Sequence, residues 1–189
     1  VASGWGIVSV TSASNVNVVN STFDSNDGEY GCLYLQYCRG VVIDTVTMQH
    51  NDGTKTAGIY FDSYNDEAIV NDVSFIFNRG GEAGAAVYVN TENWYVAFSN
   101  VVFDNNVAVT EGGAMYIGDN NINFTFTGAT FQSNIAGSNG GALYVDASNY
   151  LTVADSMFLN NTGVNGGAMY LNSDNNGVFI TSTDFNYNI

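Results

Sequence analysis

Two short patterns recur through the whole of this chain and stay in phase, so the fold has to be built from stacked copies of one unit. The first pattern ends in an aromatic residue. Counted from the tyrosine of the segment Gly140–Tyr144 it gives Val8, Tyr34, Tyr60, Tyr88, Tyr116, Tyr144 and Tyr170, spaced 26 to 28 residues apart. The residue before each is apolar (Ile7, Leu33, Ile59, Val87, Met115, Leu143, Met169), and the one before that is small (Gly6, Cys32, Gly58, Ala86, Ala114, Ala142, Ala168). The second pattern runs Phe23, Met48, Phe75, Phe103, Phe131, Phe158 and Phe185. Three residues after each comes an asparagine: Asn26, Asn51, Asn78, Asn106, Asn134, Asn161 and Asn188.

Each copy predicts three short strands. One contains the tyrosine. The next alternates apolar residues, as in Val41/Ile43, Val96/Phe98, Phe124/Phe126, Leu151/Val153 and Val178/Ile180; the last ends in the phenylalanine. Alternation puts one face in and one face out, and Asn/Asp/Gly clusters between the runs are turn chemistry. A propeller blade needs four strands in ~40 residues or more. A unit of this length fits one coil of a parallel β-helix, with coils ~4.8 Å apart. The expectation is one all-β domain over residues 1–189: seven coils, ~34 Å long by that spacing, with no capping helix. One coil cannot bury its own apolar face, whereas a stack shares a continuous core.

Composition narrows the partners. The chain of 189 residues carries 18 acidic residues and three cations, Arg39, Lys55 and Arg79, for a net charge of −15. Phosphate neutralisation needs several basic residues on one face, so neither nucleic acid nor an anionic membrane surface is an expected partner. No apolar run approaches the ~18 residues of a membrane helix.

In a β-helix every series becomes a ladder. Phe23, Phe75, Phe103, Phe131 and Phe158 are expected inside. Asn26, Asn51, Asn78, Asn106, Asn134 and Asn161 are expected to bond turn backbone and one another. Leu143 and Val145 share one strand face and Ala142 and Tyr144 the other. Tyr34, Tyr60, Tyr88, Tyr116, Tyr144 and Tyr170 are therefore expected as a row near the surface, either a stiffening aromatic rib or a platform for glycans.

The motifs of the segments Gly140–Tyr144 and Gly166–Tyr170, with their Phe-x-x-Asn partner, resemble the repeats of chlamydial polymorphic outer-membrane proteins and related large surface β-helix proteins. The resemblance covers the whole chain, though Thr56–Tyr60 and Tyr30–Tyr34 lack the full Gly-Gly-Ala and Met48 replaces phenylalanine. It implies a right-handed parallel β-helix outside the cell, often in adhesion.

Chemistry is sparse. A glycosidase needs two carboxylates at a fixed separation, and no aspartate pair recurs in register on neighbouring coils. A lyase site would need clustered carboxylates with a basic neighbour, yet the three cations lie on different coils. His50, the one histidine, reads as an exposed turn residue. No catalytic residue, resident metal or cofactor is expected. Asp62, Asp66 and Glu67, or the turn from Asn172 to Gly177, could hold at most a weak calcium ion. Asn20, Asn123 and Asn160 head glycosylation sequons. Cys32 and Cys38 lie too far apart along an extended chain for a disulfide unless the turn folds back.

Written end to start, the last copy continues into the first. Phe185 and Asn188, with Ile189, meet Gly4, Trp5, Gly6, Ile7 and Val8, and Tyr170 to Val8 across that join is one repeat. The expected function is structural and non-enzymatic: a subunit of an extracellular filament stacked head to tail. The alternative is an adhesin or carbohydrate-binding stalk within one long chain.

Overall fold

The computed structural model describes residues 6–189; Gly4 and Trp5 of the expected join lie outside them. Among the described residues every regular element is a strand, and all strand pairing is parallel. The result is a parallel β-helix of about seven turns.

The tyrosine-bearing strands form a seven-stranded sheet: Val8–Thr11, Leu33–Gln36, Ile59–Ser63, Val87–Thr91, Met115–Ile117, Leu143–Val145 and Met169–Leu171. The second and third strands of each coil belong to one bent sheet. They are joined because Val42–Gln49 runs unbroken through the corner at Thr45 and pairs with both Asp66–Asn71 and Ser74–Ile76. Beyond the three expected strands there is a further short one after the asparagine: Asp27–Tyr30, Asp52–Thr56, Arg79–Gly80, Val107–Ala108 and Ile135–Ala136. In three coils it has only two residues, too few to show an alternating pattern, and Asp27–Tyr30 and Asp52–Thr56 carry no apolar alternation, which hides this strand in the sequence.

Like stacks on like inside. Phe75, Phe103, Phe131, Phe158 and Phe185 form a column with ring centroids 4.5 to 4.9 Å apart. Met48 is buried in register between Phe23 and Phe75. Leu33, Ile59, Val87, Met115 and Leu143 line the opposite wall, all fully buried. Burial of ~1.5–3 kcal/mol per large apolar side chain, repeated coil on coil, is the main force holding the stack.

The first coil differs from its expected register by one residue. Val8 lies opposite Leu33, and Ser9 occupies the tyrosine position opposite Tyr34. A one-residue slip moves every side chain to the other face. With Val8 beside Leu33 and Val10 beside Leu35, the apolar residues follow the core. The join drawn from sequence shifts accordingly: Val8 is equivalent to Met169, not Tyr170, because Leu143 pairs with Met169.

The glycine pair before the tyrosine strand has a steric cause. Gly140 has φ +65°, and a Cβ there would stand 2.4 Å from the Leu143 carbonyl oxygen. A Cβ on Gly141 would stand 2.0 Å from the carbonyl oxygen of Gly167 in the next coil. Only glycine permits both the left-handed turn and that approach.

Candidate functional site: ladders, corners and rows

The first asparagine ladder runs the length of the molecule. Asn106 donates its backbone N–H and its Nδ2 to Oδ1 of Asn134, at 3.1 and 3.0 Å, and Nδ2 also donates to the Phe75 carbonyl at 3.0 Å. The same set recurs at Asn51, Asn78, Asn134 and Asn161. Each amide therefore ties three consecutive coils together. Asn51, Asn78, Asn106, Asn134 and Asn161 are buried with their polar atoms satisfied, and no buried side-chain nitrogen or oxygen among the described residues lacks a partner.

A second ladder escaped the sequence reading. Cys38 N–H donates to Oδ1 of Asn65 at 3.0 Å, Asn65 to Asn93 at 3.1 Å, and Asn93 to Asn121 at 2.9 Å, all backbone to side chain. Ser148 interrupts it, its hydroxyl donating to the Gly118 carbonyl at 2.8 Å. The ladder resumes at Asn175, whose Oδ1 accepts from Ser148 N–H. The signal was present: Asn65, Asn93, Asn121 and Asn175 each fall five residues after a series tyrosine. Asn175 thereby gives the segment from Asn172 to Gly177 a structural role, since its Nδ2 also donates to the Asn172 carbonyl.

The residue before each ladder asparagine, and others at two further corners, takes a left-handed backbone. Non-glycine residues with φ between 47° and 61° include Tyr64, Glu67, Thr45, Phe77, Tyr95, Asn123 and Tyr150. Tyrosine, threonine and phenylalanine rarely adopt this conformation, so here the ladders on either side of the corner impose it.

The tyrosine row corrects an expectation. Tyr34, Tyr60 and Tyr144 are buried, and Tyr88, Tyr116 and Tyr170 half-buried, rather than lying open at the surface. At coil spacing each ring covers its neighbour: centroids are 4.7 to 5.6 Å apart from Tyr34 to Tyr170. Tyr30 packs edge-on against both Tyr34 and Tyr60. The Tyr34 hydroxyl donates to Oδ2 of Asp62 at 2.7 Å. Burial pushes the Tyr88 and Tyr144 hydroxyls up to about 12, with nearby acidic groups adding to it, and raises Tyr34, Tyr60 and Tyr116 further. This is the geometry of a rib; a glycan would find little of these rings to touch.

The acidic residues singled out in the sequence are held by protein donors. Asp62 accepts from Tyr34, from Gln36 Nε2 at 2.7 Å and from Asn90 Nδ2 at 2.9 Å. Arg39 Nε lies 3.2 Å from Glu67 and 3.6 Å from Asp66. Its hydrogen bond to Glu67 lowers that carboxyl's pKa and raises its own. Lys55 pairs with Glu82, and Arg79 lies 3.8 Å from Asp52. Such exposed pairs contribute little to stability. His50 is exposed, 3.3 Å from Asp24 and stacked on Phe77. The described residues bring no three metal-ligating side chains together.

Cys32 and Cys38 are both free and buried, so the disulfide left open by the sequence is absent. Cys32 fills the small position of its strand, where burial pushes the thiol up to about 12. Cys38 stands at the second ladder and donates to the carbonyls of Gln36 and Val10.

The sequons occupy corners. Asn20 and Asn160 are exposed, Asn123 is half-buried, and all three have left-handed backbones.

The family model of the Chlamydia polymorphic membrane protein repeat matches residues 128–146. That stretch spans Phe131, Asn134, the Gly140–Gly141 pair and Tyr144, the residues that build the column, the ladder and the rib. No curated protein and no solved structure matches the chain.

Proposed function

We propose that the chain is a structural, non-enzymatic β-helix of an extracellular surface filament, extended by stacking copies head to tail. The observation that carries this reading is the polarity of the asparagine ladder. Every rung donates in one direction along the axis, from Asn26 toward Asn188. Among the described residues, the Asn188 backbone N–H and one hydrogen of its Nδ2 meet no acceptor, and Oδ1 of Asn26 receives no donor. The two faces are complementary to each other and not to themselves, which favours a heterologous contact that propagates rather than a closed dimer. Apolar surface accompanies both: Leu171, Ile180 and Phe185 are exposed at one face, Ile7 and Val8 at the other. Parallel strands at both faces offer main-chain groups for strand addition. The match to a repeat of surface-associated membrane proteins supports a location outside the cell.

The test is assembly of the intact chain. Light scattering and negative-stain microscopy should show rods that lengthen with concentration at constant width. Asn188→Ala and Ile7→Glu should each shorten them while leaving the circular dichroism spectrum unchanged. A chain that stays monomeric at high concentration, or rods unaffected by both substitutions, overturns the proposal in favour of a stalk whose coils continue within one chain.

A further inference from the structure

One surface notch belongs to neither the ladders nor the proposed stacking faces. Tyr95, Val96, Ala97, Asn123 and Thr125 line a cavity of about 410 Å³ on the outer side of the bent sheet. Tyr95 and Asn123 are the same corner residue of adjacent coils, since Trp94 pairs with Ile122 and Val96 with Phe124. Both are left-handed, at φ 56° and 61°. The way such corners overlap is visible one row on, where a Cβ on Gly177 would meet the Tyr150 ring at 2.7 Å. There the Tyr150 ring lies over the corner residue of the following coil, Gly177. Tyr95, 60% exposed, thus presents a ring at the wall of the notch that contains Asn123.

Asn123 and Thr125 are also the first and third residues of a sequon, and both line this same notch. The neighbouring Phe124 points inward and is 2% exposed, so the two sequon side chains face outward together. The Asn123 amide makes no hydrogen bond among the described residues, in contrast to the ladder asparagines. Modifying it breaks no rung.

We infer that Asn123 is an N-glycosylation site whose first sugar packs on the Tyr95 ring. A transferase joins Asn123 Nδ2 to C1 of an oligosaccharide carried on a lipid pyrophosphate. The C1–O bond breaks, the lipid pyrophosphate leaves, and the amide gives up one proton; no electrons change hands. In the folded chain the C–H face of the N-acetylhexosamine covers an aromatic ring otherwise left in water, and its hydroxyls and acetamide sit beside the Thr125 hydroxyl. The inference does not rest on head-to-tail assembly.

The experiment is secretion of the intact chain from a eukaryotic host, site-by-site glycopeptide mass spectrometry, then trimming to the single core sugar. Asn123 should be occupied. The trimmed protein should unfold about 2–4 °C above equally trimmed Thr125→Ala, a shift typical of one modest contact in a chain of this size. The same pair made in a bacterium lacking the transferase supplies the baseline. In a Tyr95→Ser background, the glycan-dependent gain should vanish. An empty Asn123, no gain over baseline, or a gain that survives Tyr95→Ser overturns the inference.

Discussion

Asn134 and Asn161 share one oxygen: Oδ1 of Asn161 accepts both the backbone N–H of Asn134, at 2.9 Å, and its Nδ2, at 3.0 Å. A single amide thus satisfies two donors of the coil before it, and its own Nδ2 satisfies the Phe131 carbonyl at 2.9 Å. Replacing Asn134 by alanine removes the acceptor of the Asn106 backbone N–H and of one hydrogen of its Nδ2, and takes away one donor to the Phe103 carbonyl. Each such buried group costs ~1–3 kcal/mol, so Asn134→Ala should destabilise by about 3 kcal/mol or more. Asn26→Ala, at a half-buried rung whose Oδ1 receives no donor among the described residues, should cost less than half of that. Urea unfolding of the two variants under the same conditions checks the order.

The glycines divide into two kinds, and substitution should separate them. A Cβ at Gly141 collides with the Gly167 carbonyl, and no rotamer relieves it. Gly128 has φ +64°, and its nearest neighbour is the Asn100 side chain at 3.0 Å. Asn100 holds the equivalent corner one coil earlier with φ 52°. Gly141→Ala should lower the unfolding free energy by several kcal/mol or prevent folding, because backbone of two coils must separate. Gly128→Asn should stay within about 1 kcal/mol of the parent, as asparagine tolerates this conformation. Thermal unfolding of both tests the distinction.

Much of this architecture was legible because residues that stack in a β-helix repeat in the sequence. Phe103, Phe131 and Phe158 were placed inside, and Asn78, Asn106 and Asn134 in a ladder, from spacing alone. The first coil failed for a physical reason. The first coil carries no tyrosine to mark its phase, and the alternation of Val8 and Val10 that sets its register is only two apolar residues long. The tyrosines take the expected face, outside the core of Leu143 and Val145, but pack closed, because face alternation tells which side of a strand a residue takes and not what covers that side. The corners could not have been read at all. Tyr64, Glu67, Thr45 and Phe77 share a left-handed backbone without sharing chemistry, because the stack dictates it. The notch at Asn123 needed two coils in register before Tyr95 could be seen beside the sequon.

Cys32 and Cys38 give a prediction about reactivity. Both are buried, and the Cys32 thiolate is disfavoured because its pKa is pushed up to about 12. Since the thiolate is the reactive form, a disulfide-exchange reagent at neutral pH should leave both thiols unmodified in the native chain and modify both after denaturation. Cys32→Ala should cost no more than about 1 kcal/mol, since Ala86, Ala114, Ala142 and Ala168 fill the same position in other coils. Rapid native labelling of two thiols would contradict the burial.

The tyrosine rib makes the fold sensitive to alkali. Burial raises the folded-state pKa of Tyr34, Tyr60, Tyr88, Tyr116 and Tyr144 above the ordinary value of 10.0, to about 12 at Tyr88 and Tyr144. The folded chain therefore holds these protons when the unfolded chain has begun to lose them. The proton count of the unfolded state falls below that of the native state above pH ~10, so the stability slope with pH is negative there. Below that pH the contribution is fully present; between about 10 and 12 it is progressively lost, with several tyrosines acting together. Stability should be flat through the neutral range and then fall steeply. Absorbance at the phenolate band should rise in the same narrow pH interval as the loss of β-sheet circular dichroism. Tyr88→Phe keeps the stacked ring and removes one such proton, so it should make the fall less steep. Rib hydroxyls that ionise near pH 10 while the sheet signal stays intact would show that the rib is open to solvent and that it does not set the alkaline limit of the fold.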